Sequence, residues 1–276
     1  MTFEHVGVDA LDYQLCRYGT SNLAFRGPKT EIDGRYCAVI GGTETFGKFI
    51  EQPFPALLGN ILNRKVVNLG CKNAGVDAFS RDATVLDMCS GAQVTIVQVT
   101  GAQNLSNRFY SVHPRRNDRF LNSSGVLHAI YRDLDLTHIN FTRHLVEELE
   151  QAEPAKFARV RDELKQNWVT KMQNMLSRID GKIILLWLAD HSPDQSHAPT
   201  AAEAEPLFVD REMLNQLGGF ADALVEVVSS PDEVQAGFSR MLFSPMEERS
   251  AREMLGPVVH ERVAKRLSAT VAELCP

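Results

Sequence analysis

The sequence of 276 residues lacks both a long apolar run and an excess of basic residues. A membrane-spanning helix needs roughly 18 consecutive apolar residues, and no segment reaches that length. The formal net charge is −6, which argues against a surface built for nucleic acid or for anionic lipid. We therefore expect neither a nucleic-acid partner nor integral membrane contact. The first residues, Met1 to His5, also lack the basic and apolar regions of a signal peptide, which predicts a cytoplasmic protein.

Metal-binding and nucleotide-binding motifs are missing too. The five cysteines form an odd set without C-x-x-C spacing, which favours neither a disulfide framework nor a zinc site. The glycine-rich stretch from Gly41 to Gly47 lacks the G-x-G-x-x-G spacing of dinucleotide-binding proteins and the Gly-Lys-Thr end of a phosphate loop. We therefore predict no metal and no cofactor, neither ATP nor NAD.

What the sequence does contain is a regular alternation of apolar runs and helix-like segments. Five short, β-branched runs have the continuous apolar character of strands buried on both faces. They are Tyr36 to Ile40, Lys65 to Leu69, Val94 to Thr100, Lys182 to Ala189 and Ala223 to Val228. The helix-like segments are Phe49 to Asn63, Val76 to Met88, Arg143 to Ile179 with a break at Pro154, Arg211 to Leu217, and Val258 to Leu274.

This alternation predicts an α/β fold in which a parallel sheet is covered on both sides by helices. We expect one α/β domain at 36–276, preceded by an extension at 1–35 and carrying an arginine-rich insertion at about 104–180. The loop from Ser192 to Pro206, rich in Pro, Ala and acidic residues, is expected to be a mobile surface segment.

Ligands of open parallel sheets bind at the carboxyl ends of the strands. The turn Gly41-Gly42-Thr43-Glu44-Thr45 follows the first predicted strand and places a hydroxyl among glycines, just before a helix. Such a turn can hold a nucleophile or an anion against free backbone N–H groups. Thr43 is therefore either a helix N-cap or part of a site.

Together with later segments, this turn resembles the spaced blocks of the SGNH (GDSL-like) hydrolases. The family's first block reads Gly-Asp-Ser-x-Thr-x-Gly, and Gly41 to Gly47 places Thr43 at the position of the nucleophilic serine. In the second block Asn73 lies nearest the oxyanion position. In the third block, Gly-x-Asn-Asp, Gln103 and Asn104 take the places of Asn and Asp, and either carboxamide can donate to an oxyanion. The resemblance implies a three-layer α/β/α sandwich with a five-stranded, mainly parallel, flavodoxin-like sheet.

The family's last block, Asp-x-x-His, has its counterpart in Pro257-Val258-Val259-His260. The resemblance makes His260 the candidate base, although proline replaces the aspartate that orients it. Glu44 and Asp190 are two possible replacements, and the sequence does not choose between them. The residue-level alternative is a histidine at the start of a surface helix.

A second stretch, Asn104 to Phe120, carries four arginines with aromatic neighbours and begins at the end of a strand. This pattern is typical of a pocket wall for an anionic group. The alternative is a lid whose arginines pair with Asp118, Asp133 and Asp135. The candidate substrate-binding residues are Gly42, Glu44, Arg108, His113, Arg115 and Arg116. The same stretch, with Phe141 to Leu145, resembles a bacterial domain family that has no assigned activity.

These features lead to three hypotheses. The first is an ester hydrolase or O-acyltransferase acting on an anionic small molecule, such as a sugar or lipid headgroup, with Thr43 attacking and His260 as base. The second keeps the fold without hydrolysis, as an anion-binding protein or a transferase of another group. It is motivated by the simultaneous loss of the serine and of both aspartates. The third is a structural or partner-docking protein without a ligand.

Overall fold

The computed structural model describes residues 11–195 and 205–275. Their strands are β1 (Tyr36–Gly41), β2 (Lys65–Gly70), β3 (Val94–Gln98), β4 (Tyr110–His113), β5 (Arg116–Ser123), β6 (Lys182–Ala189) and β7 (Ala223–Val228). The helices before β6 are α1 (Thr43–Phe46), α2 (Phe54–Leu62), α3 (Val76–Ser80), α4 (Ala83–Ser90), α5 (Gly125–Ile130), α6 (Thr142–Ala152) and α7 (Pro154–Leu176). After β6 come α8 (Arg211–Asn215), α9 (Pro231–Phe238), a 3₁₀ turn (Pro245–Glu247), α10 (Glu248–Arg252) and α11 (Pro257–Leu274).

Five of the strands form one parallel sheet in the order β2-β1-β3-β6-β7. Counted along the chain within this sheet, the order is 2-1-3-4-5, the flavodoxin-like arrangement. The predicted α/β fold with a five-stranded parallel sheet is therefore confirmed. Between the third and fourth of these strands, β4 and β5 pair separately as an antiparallel hairpin.

The side chains of each central strand alternate between two cores, because successive residues of a strand point to opposite faces. In β1, Ala38 and Ile40 pack with α3, α4, α6 and α7 on one face of the sheet. Cys37 and Val39 pack with α2 and α11 on the other face. Helices therefore cover both faces, as expected for a parallel sheet whose strands are apolar throughout.

The strand predictions match the structure closely, and the helix predictions differ where capping residues intervene. The segment expected as one helix from Val76 to Met88 is two helices, because Asp82 caps α4 by accepting a hydrogen bond from the backbone N–H of Val85. The segment expected from Phe49 begins as a helix only at Phe54, after Pro53. The predicted break at Pro154 separates α6 from α7.

The segment ahead of β1 contacts the glycine-rich turn, and its residues Tyr18, Leu23 and Phe25 belong to the core on one face of the sheet. The ring of Tyr13 packs against Phe46 with 5.0 Å between centroids, and its hydroxyl accepts a hydrogen bond from the N–H of Phe49. Arg26 donates to the carbonyl oxygens of Gly47 and Glu51. The predicted surface loop at 192–206 lies mostly outside the described residues. Among the described helices, none combines the length and the apolar content needed to cross a membrane.

The backbones of Gly237 in α9 and Gly256 at the start of α11 meet without room for a side chain. A Cβ added to Gly237 would lie 2.7 Å from the Cα of Gly256. This contact holds the amino-terminal end of α11 in place. We expect Gly256→Ala to lower the free energy of unfolding by about 1–3 kcal/mol, because the backbones must separate. Denaturant unfolding measures this change.

The matched control is Gly125→Ala, since a Cβ at Gly125 meets no atom within 4 Å. It should be neutral or slightly stabilising, because it reduces only the freedom of the unfolded chain. Equal stability of the Gly256→Ala variant and the wild type would contradict this account of the contact.

Candidate functional site

The turn after β1 is held by a side chain from the neighbouring strand β3. The carboxamide oxygen of Gln98 accepts hydrogen bonds from the N–H of Gly42 (3.1 Å), the N–H of Thr45 (3.2 Å) and the hydroxyl of Thr45 (2.6 Å). Gly41 allows this approach, because a Cβ there would lie 2.6 Å from the Cβ of Gln98. Two N–H groups of the turn, including that of the predicted substrate-binding residue Gly42, are therefore already used.

Thr43 is the first residue of α1, and its hydroxyl is bonded to Asn73 in the loop after β2. The hydroxyl oxygen accepts from the backbone N–H of Asn73 at 3.0 Å and lies 3.2 Å from the side-chain oxygen of Asn73, to which it donates. The structure thus brings together two of the predicted site residues. Gly42 is the N-cap residue of α1, so Thr43 is not the cap.

Asn73 is itself held by the hairpin. Its backbone is in the left-handed region, with φ of 59°, and its amide nitrogen donates to Asp118 of β5 at 3.0 Å. The neighbouring Asn117 accepts hydrogen bonds from the N–H groups of Gly75 and Ala78. Burial raises the pKa of Asp118, although the positive charges of Arg116 and Arg119 oppose that shift. The hairpin therefore fixes the loop that contacts Thr43.

Gln103 and Asn104 make other contacts. The amide nitrogen of Gln103 donates to a carboxylate oxygen of Glu205, and the side-chain oxygen of Asn104 accepts from the hydroxyl of Thr142 at 2.6 Å. The Gln103 side chain is buried. The amide donor of Gln103 is thus used by Glu205, whereas Asn104 is held through its side-chain oxygen.

His260 is fully buried in the first turn of α11, and both ring nitrogens face protein groups. Nδ1 accepts from the N–H of Phe54 at 3.1 Å, so the neutral ring carries its proton on Nε2. Nε2 faces a carboxylate oxygen of Glu44 at 3.4 Å, and the other oxygen of Glu44 accepts from the N–H of Leu255. Nε2 makes no hydrogen bond to Glu44, and the lone pair of Nδ1, which would have to accept a proton from Thr43, is already used by the N–H of Phe54.

Of the two acids considered as partners for His260, Glu44 is therefore the one beside it. Asp190 instead lies 2.9 Å from Nδ1 of the adjacent His191. The Glu44 and His260 pair joins α1, α2 and α11, because the imidazole also stacks on the ring of Phe54. The pair therefore has a structural role, which is to hold these three helices together.

A large cleft opens beside Asn73. Its volume is about 1050 Å³, and it is lined by Lys48 and by residues of four segments, at 11–24, 71–73, 113–116 and 242–247. The lining cationic residues are Arg17, Lys48, Lys72, Arg115 and Arg116, together with His113, and the lining carboxylates are Asp12 and Glu247. Three of the predicted substrate-binding residues, His113, Arg115 and Arg116, thus lie together in this cleft.

His113 shapes the part of the cleft that the two arginines form. Its Nδ1 accepts hydrogen bonds from the backbone N–H groups of Arg115 (3.2 Å) and Arg116 (3.3 Å), which closes the turn between β4 and β5. Arg108 does not line the cleft and instead forms an ion pair with Glu163 at 3.2 Å. The arginine-rich stretch is therefore divided between a cleft wall and a structural contact.

Residues that sequence reasoning missed come from distant segments. Gln98, Lys72 and Asp118 all contact the site or its walls, and so does the 11–24 segment that was expected to be an extension. Gln98 is a buried polar residue at the end of an apolar strand, and that signal could have identified it.

The sequence matches a family model over residues 1–275, described as "Domain of unknown function (DUF6473)". The chain belongs to this family. No curated protein matches the sequence at a significant level.

Three solved structures show weak similarity to the chain. One is a carbohydrate esterase family 2 enzyme with a carbohydrate-binding domain from Corynascus thermopiles (Myceliophthora fergusii), at 11% identity and TM-score 0.43, over 91% of this chain and 69% of that one. Another is a gut microbial diltiazem-metabolizing enzyme, at 11% identity and TM-score 0.40, over 89% of this chain and 48% of that one. The third is the lipase Lip_vut3 from a goat rumen metagenome, at 12% identity and TM-score 0.41, over 86% of this chain and 97% of that one. Similarity at this level carries no functional argument.

One group of side chains away from the cleft has the composition of a metal site. Ligand atoms of His138, His144 and Glu148 lie within 4.8 Å of one another at the amino-terminal end of α6. His144 already contacts Glu148 at 3.3 Å, and this end of a helix carries a partial positive charge that disfavours a cation.

We expect His260→Ala to lower the free energy of unfolding by about 2–4 kcal/mol. The substitution leaves a cavity and removes the acceptor of the buried Phe54 N–H. Denaturant unfolding measures the loss, with the exposed Lys265→Ala variant in the same helix as a control that should change stability by about 0.5 kcal/mol or less. An unchanged midpoint for His260→Ala would remove the structural role assigned to the pair.

Proposed function

We propose that this protein binds an anionic small molecule in the cleft beside Asn73, through a phosphate, sulfate or carboxylate group. The observation that carries the proposal is the concentration of cationic side chains there. Five lysines and arginines line the cleft against two carboxylates, in a chain whose net charge is −6. A local positive surface in an acidic protein attracts anionic ligands selectively.

Most of these cations have no carboxylate partner in the described parts of the chain. Lys48 contacts Glu247 at 3.9 Å. Within residues 11–195 and 205–275, Arg17, Lys72, Arg115 and Arg116 form no ion pair. Lys72 instead lies over the rings of Tyr13 and Phe46, at 5.5 and 5.4 Å. Because these cations outnumber the carboxylates of the cleft wall, they repel one another, and an anion between them would relieve that repulsion.

The position of the cleft in the fold supports the same proposal. Cys71, Lys72 and Asn73 directly follow β2, at the carboxyl edge of the sheet. Ligands of open α/β sheets bind at this edge. Arginine also provides a planar, bidentate donor that suits phosphate and carboxylate oxygens.

We expect the double variant Arg115→Gln with Arg116→Gln to weaken phosphate or sulfate binding at least tenfold, because two charges are removed from the cleft wall. Binding by the wild type should also weaken as sodium chloride is raised, since salt screens exposed charges. Isothermal titration calorimetry at several salt concentrations measures both effects.

The matched control is Lys265→Gln with Arg266→Gln. These two cations are adjacent and exposed on α11, so the control removes the same net charge outside the cleft. Equal losses in the two double variants would show that net charge, and not the cleft, determines binding. Unchanged binding in the Arg115 and Arg116 variant would remove the proposal.

A second candidate function is ester cleavage or acyl transfer by Thr43. The observation in its favour is the hydroxyl at the start of α1, joined to the cleft-lining Asn73 by two hydrogen bonds. The backbone N–H of Asn73 points toward this oxygen, as a donor near a reacting centre would. Nucleophilic attack needs a group that accepts the hydroxyl proton, and His260 holds Phe54 and Glu44 instead. The geometry therefore favours binding over hydrolysis.

We expect no hydroxyl-dependent turnover of short and medium p-nitrophenyl esters: the Thr43→Val variant should match the wild type, because the base contact is absent. Valine keeps the shape of threonine and removes only the hydroxyl. Thr170→Val, at an exposed position in α7, serves as the matched control. Turnover that disappears in Thr43→Val and persists in Thr170→Val would instead establish the hydrolase.

A further inference from the structure

The cationic cleft also has an apolar border. Three large hydrophobic side chains that remain exposed line it: Leu15 at 56% exposure, Leu242 at 37% and Met246 at 93%. A single exposed hydrophobic residue is ordinary, but several around one concave site indicate a surface that becomes covered by a ligand or partner.

Lys72, Arg115 and Arg116 come from other parts of the chain than the three exposed apolar residues, whereas Arg17 shares the segment of Leu15 and Lys48 contacts Glu247, the neighbour of Met246. Leu15 belongs to the segment ahead of β1, Leu242 precedes the 3₁₀ turn at Pro245–Glu247, and Met246 is the middle residue of that turn. Lys72 follows β2, and Arg115 and Arg116 form the turn between β4 and β5. The fold therefore brings cationic and apolar side chains from several segments together in one cleft.

The volume of the cleft also exceeds what a simple anion needs. At about 1050 Å³ it reaches the upper end of the range for small-molecule sites, roughly 300–1000 Å³. An inorganic phosphate would fill only a small part of it. The unbranched, flexible side chain of Met246 is suited to packing against ligands of variable shape.

We propose that the ligand is an anionic amphiphile, with a phosphate, sulfate or carboxylate head joined to an alkyl or acyl chain. The head lies at Lys72, Arg115 and Arg116, and the chain packs against Leu15, Leu242 and Met246. This inference rests on the proposed anion-binding function and adds the class of ligand to it.

The test is a titration with methyl, butyl and octyl phosphate, each below its micelle concentration, followed by calorimetry. Burial of one methylene strengthens binding about three- to fourfold. We therefore expect octyl phosphate to bind at least tenfold more tightly than methyl phosphate. Octyl glucoside, which has the same chain and no charge, should bind much more weakly than octyl phosphate.

Two double variants test where the alkyl chain of the ligand binds. In Leu15→Ser with Met246→Ser, the ratio of the octyl to the methyl affinity should fall toward one. In Leu121→Ser with Val126→Ser, which changes two exposed apolar residues outside the cleft, the ratio should stay at the wild-type value.

The outcomes separate the two proposals. Equal affinities for methyl and octyl phosphate would overturn the amphiphile and leave the anion-binding function intact. Failure of every phosphate to bind would overturn both. If affinity still rises with alkyl length in Leu15→Ser with Met246→Ser, the proposed position of the alkyl chain is wrong. Equal binding of octyl glucoside and octyl phosphate would show that the ligand does not need a charged head.

Discussion

The carboxamide oxygen of Gln98 accepts three hydrogen bonds from the turn that follows β1, and the geometry of the site depends on this contact. It fixes the start of α1 and therefore the position of Thr43. Thr43 in turn bonds Asn73, and Asn73 bonds Asp118 on the hairpin. One continuous set of hydrogen bonds thus connects the ends of β1, β2 and β3 to the arginine-bearing turn. Because Gln98 and Thr45 are buried, the loss of one of their bonds would leave a partner without compensation by water.

The same bonds determine which chemistry the site can support. Acyl transfer needs free donors at the oxyanion position and a free base beside the nucleophile. Here the N–H groups of Gly42 and Thr45 serve Gln98, while His260 serves Phe54 and Glu44. Groups that a hydrolase would direct at a substrate are directed into the protein. The cations of the cleft show the opposite pattern, since Arg17, Lys72 and Arg115 line it and form no ion pair with any described residue.

The sequence predicted the sheet well because its strands are encoded locally. Continuous β-branched runs gave β6 and β7 with the same bounds that the structure has, and Pro154 marked a real boundary between two helices. The hairpin was not predicted, because β5 is polar over most of its length and shows no regular apolar alternation. Its position depends on distant contacts, such as the bonds from Asn117 to the loop before α3.

The site was predictable in composition but not in connectivity. Two groups of residues that the sequence analysis named lie together in the structure: Thr43 with Asn73, and Arg115 with Arg116 and His113. Spacing could not reveal the partners of His260, since Phe54 lies about two hundred residues earlier in the chain. Nor could it reveal that the segment at 11–24 forms part of the cleft wall.

The placement of Asp118 connects these observations. It is the acidic group bonded to Asn73 at the edge of the cleft, and its burial raises its pKa despite two nearby arginines. For an acid, a raised pKa means that the charged form is disfavoured in the folded protein. Arg116 therefore has a partly buried carboxylate near it, whereas Arg17, Lys72 and Arg115 form no ion pair with any described residue. Under the proposed function, these three are the cleft cations whose charge an external anion would balance.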